Sequence, residues 1–233
     1  MPKELENDLR EAADPGKAAL LARYFKTGKG EYAEGDKFLG LTVPVTRRIA
    51  KAHRDLALGE LAALLRSPWH EVRLAALMLL AERFGRAAAE RKEIYELYLA
   101  NTRFINNWDL VDLTAPRIVG GWLKDKSRRP LYRLAASNVL WERRIAMLAC
   151  LNFIVDGETA DALAIARRLL GDKHDLMHKA VGWMLREVGK RCSEKVLLDF
   201  LKDNYARLPR TTLRYAIERF PEKKRKALLA GTF

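Results

Sequence analysis

The chain has 233 residues, 49% hydrophobic and 31% charged, with no low-complexity run, which is enough apolar material for a sizeable core and excludes a disordered tail. Its 43 Lys and Arg against 30 Asp and Glu leave a formal charge of +13 and a pI near 9.9. That balance argues against an acidic or neutral partner and for a polyanion, nucleic acid first.

Strand signatures are scarce and helix formers dominate, so we read an all-α chain folded as a single domain over 1–233. The N-terminal stretch is polar and acidic, and no apolar segment approaches the roughly 18 residues that span a bilayer. With only Cys150 and Cys192 and four scattered histidines, His53, His70, His174 and His178, neither a disulfide framework nor a metal site is expected. A cytoplasmic, cofactor-free chain follows, nucleoid-associated through DNA and monomeric by default.

In chain order, Gly28, Gly30, Gly35 and Gly40 break the N-terminal quarter, and Ser67-Pro68 precedes a helical run, Leu74–Arg83. Next comes Asn106-Asn107-Trp108-Asp109-Leu110-Val111-Asp112. Residues at i and i+4 share a helix face, which puts the Trp108 indole and the Asp112 carboxylate together and turns Asp109 aside. Asn107 or Asp109 serves equally as a helix cap, but a cap does not explain Asp112 one turn further in, where Asp is a poor helix former. If the helix continues through Pro116, whose ring crowds the Asp112 carbonyl, a kink lies beside the carboxylate; the other reading ends the helix early.

Two basic clusters follow. Residues 117–149 carry Arg117, Lys124, Lys126, Arg128, Arg129, Arg133, Arg143 and Arg144 against Asp125 and Glu142, and residues 207–225 include Arg210 and Arg214. Between them lie the breakers Asp156-Gly157 and Gly171-Asp172 and a helical run from Ala160 to Leu170. Single cations of this kind solubilise helix surfaces, but two clusters favour a phosphate-binding face.

Arg73, Asp109, Arg144, Lys179 and Arg214 recur at spacings of 36, 35, 35 and 35 residues, the period of repeated helix pairs. Small residues behind several of these leads allow close helix approach, so we expect an α-solenoid with a concave basic groove. Arg73, Arg144, Lys179 and Arg214 would then form one row facing phosphates, the competing reading being a ladder of interhelical ion pairs. Trp69 and Trp141 read as core, whereas Trp183, one turn after Lys179, shares the face of that cation.

Together the segments Tyr24-Phe25-Lys26, Phe38-Leu39-Gly40, Trp108-Asp109-Leu110-Val111-Asp112, Trp141-Glu142-Arg143-Arg144, Gly182-Trp183-Met184-Leu185-Arg186-Glu187 and Pro209-Arg210-Thr211 resemble the AlkD-type DNA alkylation-repair glycosylases, built of HEAT-like repeats. The resemblance implies that Asp112 is the catalytic carboxylate, that Trp108 and Trp183 hold the lesion nucleotide's sugar and backbone, and that Arg144 contacts phosphate. Arg143, Lys179, Arg73, Arg214 and Arg210 complete the expected DNA contacts. The implied reaction is excision of positively charged N3- and N7-alkylated purines from double-stranded DNA without base flipping. Such a base is already a good leaving group, so the carboxylate has mainly to stabilise the developing oxocarbenium ion and place water. Asn107 departs from the pattern, standing where some members carry another aromatic. Two other outcomes stay open: a non-catalytic binder of branched or distorted DNA, as some relatives of this architecture are, and a protein-interaction scaffold.

Overall fold

The computed structural model describes residues 2–232, and among them the regular structure is helical, with one isolated bridge between Lys37 and Trp69. The helices in order are α1 (Pro2–Glu11), α2 (Pro15–Tyr24), α3 (Val43–Ala52), α4 (Leu58–Leu64), α5 (His70–Arg86), α6 (Arg91–Ala100), α7 (Trp108–Ala115), α8 (Gly121–Leu123), α9 (Arg129–Ala135), α10 (Leu140–Val155), α11 (Ala160–Leu169), α12 (Asp175–Arg191), α13 (Glu194–Asn204), α14 (Arg210–Ala216) and α15 (Glu222–Leu229). The expected all-α class is what the chain adopts. The two runs read as helical fall in α5 and, but for Leu170, in α11; the breakers fall between elements except that Ser127 to Pro130, read the same way, runs into the first turn of α9.

Helix starts follow local chemistry. Asp14 caps α2 by accepting the Lys17 N–H at 3.0 Å, with Pro15 in the first turn, and Ser193 caps α13 by accepting from Val196. At α7 the cap is Asn107, whose side-chain oxygen accepts the Trp108 N–H at 2.8 Å.

The chain divides into two compact units, Met1–Thr114 and Ala115–Phe233. In the first, α5 packs on α3 and α4, and its interior is filled by Leu61, Leu65, Leu77, Leu80, Ile94 and Tyr98. Each such side chain withdrawn from water contributes about 1.5–3 kcal/mol. In the second, α10 packs on α9, α11 and α12, and α12 packs on α13 and α14, the neighbour-to-neighbour order of stacked helix pairs. The five register positions all lie in the first turn or so of a helix, Arg73 in α5, Asp109 in α7, Arg144 in α10, Lys179 in α12 and Arg214 in α14.

Pro116 neither ends the helix nor simply bends it. The backbone passes from α7 into a π-helical turn, Pro116–Gly120, and then into α8. A wider turn accommodates a residue that has no N–H to donate and whose ring crowds the carbonyl four residues back. The same turn lies against α10 so closely that a Cβ on Gly120 would stand 2.4 Å from the Ala149 carbonyl oxygen.

Candidate active site

In the first unit the site is built on α7. Trp108 opens the helix, and Asp112 stands one turn later; both are half-buried. Behind Trp108 stands a cluster of rings in which Phe25, Phe38 and His70 each lie within 5.1 Å of the other two. Trp108 stacks on Phe25 at 5.1 Å and 20°, Phe25 on Phe38 at 5.1 Å and 17°, and Phe38 on the His70 imidazole at 4.5 Å and 19°. Offset stacks of this kind add about 0.5–1.5 kcal/mol per pair beyond burial. Tyr24, largely exposed, meets the Trp108 ring edge-on at 6.1 Å, and the indole N–H is hydrogen-bonded to the Tyr32 hydroxyl. Burial pushes the Tyr32 hydroxyl above its usual value, which the Trp108 bond only partly offsets. The indole is therefore held on its face, its edge and its nitrogen.

The His70 corner of the cluster is anchored in charge. His70, only 2% exposed, has Nε2 at 2.8 Å from Asp109 Oδ2, while Asp109 Oδ1 accepts the Leu110 N–H. On the other side Nδ1 lies 3.6 Å from Asp36 Oδ2, an ion-pair distance but too long for a hydrogen bond. Burial disfavours a charged imidazole here, yet Asp109 and Asp36 outweigh it and hold His70 above the ordinary histidine value. A group raised in the folded state stabilises that state fully below the unfolded value, about 6.5, and the contribution is lost as pH rises through the folded value. Asp36 also receives Arg73 Nη2 at 2.8 Å and Asn106 Nδ2 at 2.9 Å. Burial alone would raise Asp36, but His70, Arg73 and Asn106 hold it below the usual carboxylate value.

Asp109 is thus an ion-pair partner of His70 and not the cap of α7, and Arg73 requires a correction. It is 3% exposed, and its guanidinium bonds to Ser67 O, Asp36 and Asn106. It ties three segments of the first unit together and does not face a phosphate. The ladder of internal ion pairs describes this position better than the phosphate row does.

In the second unit the cations divide. Arg144 is 4% exposed, with Nη1 donating to the Leu176 carbonyl at 2.6 Å, so it joins α10 to the start of α12 and turns inward from an exposed row. Arg143 is half-buried and bonds to Asp172 at 2.6 Å and Ser137 O at 3.0 Å. It lines an open cleft of about 650 Å³ whose other cationic groups are Arg168 and Lys173. Lys179 is half-buried and paired with Asp175 at 2.8 Å, an i,i+4 pair weak enough to yield to a phosphate. Arg210 and Arg214 are exposed on α14, Arg210 with Nη1 on the Leu229 carbonyl.

Trp183 is half-buried on α12, and the residue before it explains its placement: a Cβ on Gly182 would stand 2.5 Å from Tyr215 Cβ and 2.6 Å from the Thr212 carbonyl oxygen on α14. Only glycine permits that approach. Trp141 is core as expected, but Trp69 is half-buried and covered by the Arg10 guanidinium at 4.9 Å. His174 caps α12 and His178 bonds to the Asp172 carbonyl oxygen. Among the described residues no cluster of three metal-ligating side chains occurs, and no helix is long and apolar enough to cross a membrane.

What sequence reasoning missed is the group behind Trp108: Phe25, Phe38, His70 and Asp36. The signal present is His70-Glu71 beside Arg73, three ionisable groups on the first turn of a helix that is apolar from Leu74 to Ala81.

The family model described as DNA alkylation repair enzyme matches residues 5–220. Among solved structures the chain is similar to one described as a predicted DNA alkylation repair enzyme from Enterococcus faecalis, at 17% identity and a TM-score of 0.68, covering 90% of this chain and 97% of that one. At that identity the likeness speaks for the fold. No curated protein matches the sequence. With the family model spanning nearly the whole chain, the protein belongs to the DNA alkylation repair enzyme family.

Proposed function

We propose that the protein is a DNA glycosylase that removes positively charged N3- and N7-alkylated purines from duplex DNA without flipping the base, with Asp112 as the catalytic carboxylate. What supports this is Asp112 one turn from an indole held on three sides, in a chain of a DNA alkylation repair family. A cationic purine leaves readily, so the chemistry falls to the sugar. As the glycosidic bond lengthens, positive charge grows on C1′ and the ring oxygen, and an ionised carboxylate stabilises it while placing the attacking water. Trp108 presents an aromatic face to the same sugar, where a cation is favoured over a π surface. Trp183 is assigned to the backbone of the lesion nucleotide. Phosphate contacts are assigned to Lys179, Arg143, Arg210 and Arg214.

Incubation with methylated duplex DNA and chromatography of the released bases tests this. The wild type should release 7-methylguanine and 3-methyladenine, and Asp112→Asn should release them about 100- to 1,000-fold more slowly, the range lost when one charge-stabilising group is removed. Release at the wild-type rate by Asp112→Asn removes the carboxylate assignment. Tight binding of branched duplex with no base release by the wild type replaces the enzyme by a binding module.

A further inference from the structure

We infer that His70 is a positioning residue for Trp108, its charged ring fixing the indole through two routes at once. The inference rests on the proposed excision reaction for its catalytic consequence but not for its structural content.

The first route is the ring cluster. Phe25, on which Trp108 stacks at 5.1 Å, lies 5.1 Å from His70 directly and meets it again through Phe38, so the imidazole, Phe38 and Phe25 form a triangle that backs the indole. The second route is the backbone of α7. His70 Nε2 holds Asp109 at 2.8 Å, and Asp109 is the residue after Trp108. Shifting His70 therefore moves the indole from behind and the turn that carries it.

The charge makes this arrangement conditional. The groups facing His70 are Asp109 from α7, Asp36 from the segment between α2 and α3, and Arg73 from its own helix; the neighbouring Glu71 directs both oxygens to the backbone N–H groups of Leu39, Gly40 and Leu41. Two carboxylates whose side chains are less than a tenth exposed thus flank one imidazole, and Arg73 reaches Asp36. When the ring is neutral it still donates one hydrogen bond but no longer compensates both acids. Loss of the Nδ1 proton leaves Nε2–H on Asp109 but turns a lone pair toward Asp36, and because Asp36 also accepts from Asn106, two residues before Trp108, its displacement moves the start of α7. Nδ1, which has no hydrogen-bond partner at 3.6 Å from Asp36, is the site from which the proton departs.

The test uses the whole protein with 15N-labelled tryptophan. Its five indole signals are followed by NMR as pH is raised, the Trp108 signal being identified by its loss in Trp108→Phe. The expected result is a Trp108 signal that moves with the same midpoint as the His70 ring protons, above the ordinary histidine value, and that stays still in His70→Gln. Single-turnover release of 7-methylguanine should fall about tenfold above that midpoint and in His70→Gln, since small misplacement of a positioning group costs one to two decades. The Kd for undamaged duplex should change less than twofold. A stationary Trp108 signal while His70 titrates overturns the inference, as does a His70→Gln variant with unchanged excision rate. If His70→Gln does not fold, the wild-type titration decides alone. If the wild type releases no base, the excision reading falls while the indole titration still judges His70.

Discussion

Helix α5 in the first unit and helix α14 in the second carry an arginine at the same place in the repeat, one turn from the start, and the two have opposite fates. Arg73 is interior and closes a network with Asp36 and Asn106; Arg214 stands in solvent with no ion pair among the described residues. Repeat register determines where along a helix a side chain falls, whereas the partners that converge on it decide whether the charge is structural or available to a ligand. The two indoles divide in the same way. Trp108 is placed by side chains stacked behind it, Trp183 by the backbone approach that Gly182 permits.

The sharpest way to break this comparison is to delete the interior charge. Arg73→Ala leaves Asp36 buried without its guanidinium and should cost about 3–5 kcal/mol of stability, read from urea unfolding. A cost near zero would put Arg73 with the surface cations. Next in size, Gly182→Ala drives a methyl group into Tyr215 and Thr212 and should cost about 1–3 kcal/mol, the usual penalty of overpacking. Thermal melts measure it, and an unperturbed melting temperature would refute the close approach of α12 and α14. The smallest effect on stability belongs to Arg214→Ala, within about 0.5 kcal/mol. Its signature is instead a DNA-binding salt slope shallower by about 1, measured by titration at several salt concentrations, and an unchanged slope would remove Arg214 from the phosphate contacts.

Much of this is legible in the sequence. Helical periodicity located α5 and α11, the 35-residue spacing placed each lead near the start of a helix, and i,i+4 geometry set Trp108 and Asp112 on one face. These are local properties, carried by residues within a few turns of one another. The group behind Trp108 is not legible because it is assembled from positions 25, 36, 38, 70, 73, 106 and 109, most of them joined by contacts across more than 30 residues of chain. The inward turn of Arg144 escaped for the same reason: its partner, the Leu176 carbonyl, belongs to the next helix pair. The π turn at Pro116 was visible only as a conflict between a proline and a helix, not as the way the backbone resolves it.

Glu71 carries a consequence for the stretch between α2 and α3. Its two carboxylate oxygens gather three successive backbone N–H groups, from Leu39, Gly40 and Leu41, at 2.9 to 3.1 Å, and Gly40 is held at a φ of 87° against the start of α2. The segment that delivers Phe38 to the cluster has no regular secondary structure, yet the three amides just after Phe38 are all occupied. Mutational tolerance should therefore be uneven along it: insertions fit near the exposed Gly28–Gly30 end, whereas at Leu39–Leu41 even one added residue would unclasp the loop from α5.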